Sequence, residues 1–587
     1  MRRLLLALPL LAVLSATGDE AFPGPGWKDE PSPFASPDAV PGGALIYAAF
    51  QSPKSLNAYL DNNTFSRQVF DSMYETLLGA DPLTGDLAPG LAVRWTVSDD
   101  RRVFTFALDP AARWSDGRPL TALDVRWTFD RVMDPASQTG PAKVGLDPFT
   151  NTPPQVLDAH TIRFTARETH WRNLLAAGSF EILPMHAFSN ADFNKINFEF
   201  PVVSGPCRRG SLTENIELRL ERRNDWWARS RPSSRGLYNF QTVVYRFYAE
   251  QENAFEAFRK GDLDVYPVYM SRLWNVEAAG EKFDRRWIVK QKIANHNPVG
   301  FQGFAMNMRR PPFDDRRVRR AMCHLLDRET MNRTLMYNAY FLHRSYFEDL
   351  YDAAHPCTNA AYGFDPARAR ALLAEAGWKP DPDSGRLEKD GRRFAFTFLT
   401  RDASADKFLA LYGAELGKSG IELRIDRKDE AAWRRDMDAF HYDMTWAAWS
   451  SSIFKDPEPM WLSSEADRPA GDNITGFKDA RVDALIRQQA GLFDLAARNR
   501  ILREMDAILC AEAPYALLWN INYTRLLYWN KFGMPPTVLD KYGDERALFA
   551  HWWYDADSAA ELKAAMVAGT PLPAKPERVE FDRVFRP

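Results

Sequence analysis

The chain has 587 residues, too many for one hydrophobic core, so two or more lobes are expected. Lys plus Arg (75) nearly balances Asp plus Glu (78), a formal net charge of −3, and no basic excess points to a nucleic-acid partner. Aromatic residues make up 13% with 18 Trp, enough to fill cores and also to wall an apolar ligand cleft.

Arg2 and Arg3 precede an apolar run from Leu4 to Leu14, and Ala16-Thr17-Gly18 places small residues where a signal peptidase cuts. Residues 1–18 are therefore read as a secretory signal, too short to span a membrane in the mature protein. No Cys follows the run, so an exported, periplasmic protein without a lipid anchor is expected, and no later stretch is apolar enough to cross a membrane. Residues 19–43 are rich in Pro and Gly and read as an extended arm.

Ala44 to Ala48 predicts a first strand, and Val69, Phe70, Met73, Tyr74 and Leu77 follow at helical spacing. Leu91–Val97 and Val103–Leu108 predict a strand pair around a Ser98-Asp99-Asp100 turn. Next comes Trp114-Ser115-Asp116-Gly117-Arg118-Pro119-Leu120-Thr121-Ala122-Leu123-Asp124-Val125, with Thr121 and Asp124 spaced as a capping box. It reads as a tight turn and a capped helix start, and implies no nucleophile or base.

Val243, Tyr245 and Phe247 alternate as in a strand, Ala254, Phe255 and Phe258 share one helix face, and Gly261 ends that helix before Leu263 and Val265 resume an extended run. Strand, helix and strand in under thirty residues predict a βαβ unit, with a ligand crevice at the carboxyl ends of its strands. Further on, Asp314 is read as the cap of a helix carrying Val318, Ala321, Met322, Leu325 and Leu326, its four Arg facing water. Asp365 with Pro366 opens another helix, which Gly377 closes. Ile501, Met505, Ile508 and Leu509 make a third stripe, and Tyr515 to Trp519 is strand-like. The Pro-rich tail from Pro571 is read as a surface strap.

Four Cys, at 207, 323, 357 and 510, allow three full connectivities in an oxidising compartment, and a reduced buried thiol is the alternative for each. Cys323 and Cys357 are nearest in sequence and form the expected disulfide. Their spacing matches no metal motif, and no metal or other cofactor is expected.

The run from Trp114 to Val125 resembles the signature of the extracellular solute-binding proteins of the oligopeptide- and dipeptide-binding class, family 5, which feed ABC importers. Glu252 to Asp264, Pro312 to Leu326, Phe364 to Trp378 and Ile474 to Ile486 agree with that class in the same order. Asp225 to Arg229, Gly236 to Phe240 and Arg468 to Gly476 are closest in kind to its microcin C and oligopeptide-binding branch. The resemblance implies an α/β, two-lobed periplasmic-binding fold of the class II type with two crossings. Lobe 1 would hold residues 44–300 and 515–587, with an inserted subdomain at about 66–200, and lobe 2 residues 301–514. It implies a monomer that holds a peptide or peptide-like ligand between the lobes and delivers it to an inner-membrane ABC permease with its ATPase subunits.

Carried over by position, the resemblance points to the strand Tyr442 to Trp449 and the loop Ser450-Ser451-Ser452 as the place where ligand main chain would pair. Trp446 and Trp449 are candidate contacts, with core packing as the competing role for each. Two departures stand out: Ser452 occupies the place of an acidic anchor for a ligand amine, with Asp456 further on as a substitute, and Trp446 occupies the place of a carboxylate-binding Arg. Both favour a longer, modified or less charged ligand. The loop Ser204-Gly205-Pro206-Cys207 ends in Cys where the class usually has Tyr. Phe50, Gln51 and Asn307 are second-tier candidates.

The competing classes are a secreted hydrolase and a peptide-binding chaperone or sensor on the same fold. The nine His form no H-E-x-x-H, and there is no G-x-S-x-G elbow, so the reading is a binder and not an enzyme.

Overall fold

The alternation read at Ala44–Ala49 is realised as a strand in which Leu45, Tyr47 and Ala49 are buried and their neighbours half-buried. The computed structural model describes residues 19–61, 63–189, 192–195 and 202–586. The secretory segment expected at residues 1–18 lies outside the described residues. Thr242–Phe247 runs parallel to Ala44–Ala49 in register from Ala44 opposite Thr242 to Ala49 opposite Phe247. Val265–Pro267 is parallel to the same strand on its other side. The two strands of the expected βαβ unit therefore do not pair with each other. Their crossover helix, Gln251–Lys260, ends at Gly261 with φ of 96°, a left-handed conformation that costs glycine little. Ala254, Phe255 and Phe258 on that helix are buried.

The far end of the chain completes this lobe. Thr524–Trp529 is antiparallel to both Val265–Pro267 and Ile288–Ala294, and Arg578–Glu580 adds a parallel edge. With the hairpin Cys207–Thr213 and Glu217–Arg222, eight strands result. A separate five-stranded sheet carries Ala92–Val97 and Val103–Leu108 as the antiparallel pair read from sequence. Helix Ala122–Met133 starts as its capping box foretold: the Asp124 carboxylate accepts the Thr121 N–H at 2.9 Å. The arm is more than a linker. Glu20–Phe22 pairs with Ala92–Val97, Phe22 stacks on Trp95 at 5.6 Å, and Phe34 is buried beside Phe581 and Phe585.

The second lobe is a five-stranded sheet in which Ala395–Thr400 lies between parallel neighbours Glu422–Arg427 and Met444–Ala448. Gln302–Met306 is antiparallel to Met444–Ala448 and to Tyr515–Leu517. Helix Arg316–His324 buries Val318, Ala321 and Met322 as its stripe requires, but its cap is Asp315, whose carboxylate accepts the Arg317 N–H; Asp314 is not the cap. Its arginines are not all solvated either. Arg319 is buried and donates to the Phe313 and Glu512 carbonyls at 3.0 Å, tying this helix to the end of helix Leu495–Glu512. Asp365 caps helix Pro366–Glu375 through the Arg368 N–H, and Gly377 takes φ of 92° beyond its end.

All four cysteines are free thiols, so the expected Cys323–Cys357 bridge is not formed. Cys323 sits on the inner face of its helix with Sγ 3.7 Å from the Tyr515 carbonyl, and burial pushes its thiol up to about 12. Cys357 turns instead toward the Arg344 carbonyl, at 3.7 Å, which Cys510 also approaches, at 3.6 Å. Helix placement, which sequence distance does not report, separates the expected pair.

Two crossings join the lobes near Gly300 and Asn520. The Leu518 N–H donates to the Gln302 carbonyl at 2.8 Å, and Asn520 Nδ2 to the Gly300 carbonyl at 2.9 Å. A Cβ on Gly300 would lie 1.8 Å from the Trp449 carbonyl oxygen, so only glycine lets the crossing pass this close. Gly300→Ala is expected to destabilise the ligand-free protein by about 1–2 kcal/mol, read as a lowered Tm in thermal melts.

Candidate ligand-binding site

Parallel strands leave their carboxyl ends on one edge of a sheet, where ligands gather in open α/β folds. In lobe 1 that edge opens on a cleft of about 540 Å³, walled by Tyr47, Phe50, Gln51, Tyr245, Tyr269 and Arg525. In lobe 2 the ends of Ala395–Thr400 and Met444–Ala448 open on a cleft of about 600 Å³, walled by Thr400, Trp433, Met437, Trp446, Trp449 and Asp472. Asn297 lines the first cleft and lies three residues before Gly300, which abuts Trp449 of the second. The clefts thus flank the first crossing.

The two tryptophans diverge, as their spacing of three requires on a strand of period two. The Trp446 ring packs against Phe304, Phe408 and Trp519, and its Nε1 donates to Gln302 Oε1 at 3.0 Å. Trp449 lies on the other core of the lobe, half-buried, with Nε1 donating to the Tyr515 hydroxyl at 3.2 Å. Its own N–H is used by the Phe301 carbonyl at 2.8 Å, one more rung of the sheet. Beyond it the ladder stops. Among the described residues the main-chain N–H groups of Ser450, Ser451 and Ser452 donate to no protein acceptor, and Ser450 and Ser452 are exposed. Ser452 is held from its other side, where its carbonyl accepts the Lys455 ammonium at 2.9 Å.

The remaining sequence candidates divide. Phe50 and Gln51 are exposed on the lobe 1 cleft. Asn307 is fully buried and donates to the Phe440 and Tyr442 carbonyls at 3.0 and 2.8 Å, away from both clefts. Asp456 is already paired: its carboxylate takes the Arg172 guanidinium, whose Nη2 also reaches Glu458 at 2.5 Å. His170 Nε2 adds a 2.8 Å contact to Glu458, and the neighbouring Trp171 donates to Gln489 Oε1 at 2.9 Å. Asp456, Glu458 and Gln489 belong to lobe 2, while 170–172 lie in the lobe 1 subdomain. This is a charged latch between the lobes.

Residues 86–470 match the family model described as bacterial extracellular solute-binding proteins, family 5, middle. The chain belongs to that family. Among curated relatives, the probable peptide-binding protein YejA of Agrobacterium fabrum is 26% identical, over 87% of this chain and 89% of its own. The peptidoglycan-binding protein YepA of the same organism is also 26% identical, over 89% and 92%. The oligopeptide-binding protein AppA of Bacillus subtilis, solved with a nonapeptide, superposes with a TM-score of 0.68 at 20% identity, covering 88% of this chain and 100% of that one. That likeness shows the two-lobed fold. No helix among the described residues is long and apolar enough to cross a membrane.

For this family 5 chain the sequence did not reveal what lies deepest in the lobe 1 cleft. Arg525 is 2% exposed, its Nη1 donates to the Tyr340 hydroxyl of lobe 2 at 3.2 Å, and its Nε and Nη2 have no hydrogen-bond partner. No carboxylate lies within ion-pair distance of it among the described residues, although buried arginines are ordinarily paired. The acids nearby are engaged: Asp544 pairs with Arg546, and the Glu545 carboxylate accepts the Tyr269 hydroxyl. Burial, then the adjacent Asp544, raises the Glu545 carboxyl above its ordinary range. The signal in the sequence was one Arg inside an apolar strand, Leu526-Leu527-Tyr528-Trp529 following it.

Proposed function

We propose that the protein captures an extended peptide or peptide-like ligand between its lobes and passes it to an inner-membrane ABC permease with its ATPase subunits. In this reading it works as an exported, periplasmic monomer whose secretory signal has been removed. The observation that carries the reading is the row of unpaired amides at Ser450–Ser452, which follows the end of the central strand Met444–Ala448 beside the aromatic lobe 2 cleft. An extended backbone can add there whatever its side chains, which suits a binder of varied sequences. Phe50, Gln51, Trp446, Trp449 and Tyr269 would pack against the ligand. Asp456 would act on the lobes, through Arg172, more than on a ligand amine. The peptide-binding description of the relative YejA supports the ligand class.

The test uses a peptide that native mass spectrometry retains on the purified protein from a tryptic digest of casein. Ser450→Ala should leave its affinity nearly unchanged, because the hydroxyl is not the group used. Ser450→Pro removes the amide and should weaken binding by about 1–2 kcal/mol, measured by calorimetric titration. Equal losses for the two variants would refute main-chain recognition at this loop, and a peptide recovered cleaved would make the protein a hydrolase.

A further inference from the structure

At the end of strand Glu217–Arg222, away from both clefts, a pocket of about 170 Å³ is lined by Arg222, Arg223, Arg229, Arg235, Trp226 and Asn239. It shares no lining residue with either cleft. Among the four arginines that line it, Arg222 and Arg229 are close enough for their charges to repel, which an intervening anion would relieve. Among the described residues, Arg222, Arg229 and Arg235 have no carboxylate within ion-pair distance. Asp225, largely exposed, stands 3.4 Å from Arg223 Nε, and Arg223 Nη2 has no hydrogen-bond partner.

The arginines are held in place by neutral acceptors, which orient a guanidinium without cancelling its charge. Arg223 is 3% exposed, and its Nη1 donates to the carbonyls of Val203, Ser204 and Gly205 at 3.1, 3.0 and 2.9 Å. The Ser204-Gly205 loop noted in the sequence thus serves to anchor this arginine. Arg222 donates through Nε to the Tyr238 carbonyl at 2.6 Å and through Nη1 to Asn224 Oδ1 at 2.7 Å. Arg229 Nη1 reaches the Asn224 carbonyl at 3.1 Å. Burial, then the charge of Arg229, lowers the Arg222 pKa, as crowded cations require. A half-buried acid nearby is Glu75, which accepts Trp226 and Trp227 Nε1 at 3.2 and 2.8 Å. Burial pushes it up to about 7 against those bonds, so near neutrality it supplies only part of a counter-charge.

We propose that this pocket binds a tetrahedral oxyanion of the phosphate class, either free or as the monoester head of a larger molecule. Several guanidiniums lining one pocket can together serve three or four oxygens, where a carboxylate offers two. The volume suits such a group and excludes the extended ligand of the clefts.

The experiment titrates inorganic phosphate calorimetrically into wild-type protein and into a double variant, R229Q with R235Q. Both residues are exposed, so the variant should fold, and circular dichroism melts without phosphate check that it does. Phosphate should bind the wild type and raise its Tm, and the double variant should bind about tenfold or more weakly. In a second arm, phosphatidic acid vesicles are compared with phosphatidylcholine vesicles by sedimentation. Retention on phosphatidic acid that the variant loses identifies a monoester head as a ligand; no retention, with phosphate binding intact, restricts the site to the free anion. Absence of phosphate binding to the wild type, or equal binding by a folded double variant, would overturn the proposal.

Discussion

Replacing Trp449 by alanine is expected to weaken ligand binding by about 2–4 kcal/mol, the range of a desolvated aromatic contact. The ring lines the lobe 2 cleft, and the residue's own N–H is the last paired amide before the loop. It also has a structural share, because Nε1 satisfies the hydroxyl of the buried Tyr515. Alanine leaves that hydroxyl unpaired, so the ligand-free Tm should fall as well. Trp449→Phe separates the two effects: it retains the ring face, so affinity should be largely kept, while losing the Tyr515 bond costs about 1 kcal/mol of stability. Titration well below the melting range, together with melts of the ligand-free variants, reads both numbers. A Trp449→Ala variant with lowered Tm and wild-type affinity would assign the residue to the core alone.

Arg172→Glu is expected to open the lobes at a cost on the order of 3–4 kcal/mol, since like charges brought together at an interface cost several kcal/mol. In place of a guanidinium shared by Asp456 and Glu458 it would set three carboxylates facing one another. Ligand affinity should fall because the closed form is less populated, although no ligand contact is removed. Acid should act in the same direction. Burial raises the Glu458 carboxyl, but the His170 hydrogen bond and the Arg172 charge outweigh it and hold the group below its ordinary value. A depressed carboxyl stabilises the latched form above its ordinary pKa, and that contribution is lost as pH falls through the depressed value. The latch should therefore hold at neutral pH and weaken in acid, as the pH falls below the ordinary glutamate range. Scattering profiles across pH, for wild type and Arg172→Glu, measure this. A variant as compact as wild type at neutral pH would show that the ion pairs do not govern closure.

Local signals were legible because short-range chemistry decides them. The helix Gln251–Lys260, its Gly261 stop and the Thr121–Asp124 box follow from side chains within a few positions of one another. The neighbours of those elements do not. Nothing near Thr242 announces that Ala44–Ala49, about two hundred residues earlier, separates the two strands of the βαβ unit. Glu20–Phe22 looked like part of a Pro- and Gly-rich arm because an edge strand of three residues is too short to show a period. The helical face of Arg319 suggests solvation, while one acceptor that holds it buried, the Glu512 carbonyl, comes from the end of another helix.

The site divides along the same line. The strand before Trp449 and its loop could be carried over by position, since main-chain pairing depends on where a strand ends. Asn307 could not be judged, because its acceptors, the Phe440 and Tyr442 carbonyls, are distant in sequence. The pairing of Asp456 with Arg172 spans the two lobes and is invisible without them. Arg525 was hidden by its setting: an apolar strand conceals that one buried cation lacks a carboxylate partner.

Ligand bound between the lobes should draw them together. Small-angle scattering on protein stripped of ligand by denaturation and refolding, before and after saturation with the retained casein peptide, tests it most directly. The account predicts a smaller radius of gyration with peptide for wild type and a reduced response for Arg172→Glu. An unchanged radius at confirmed saturation of the wild type would contradict it.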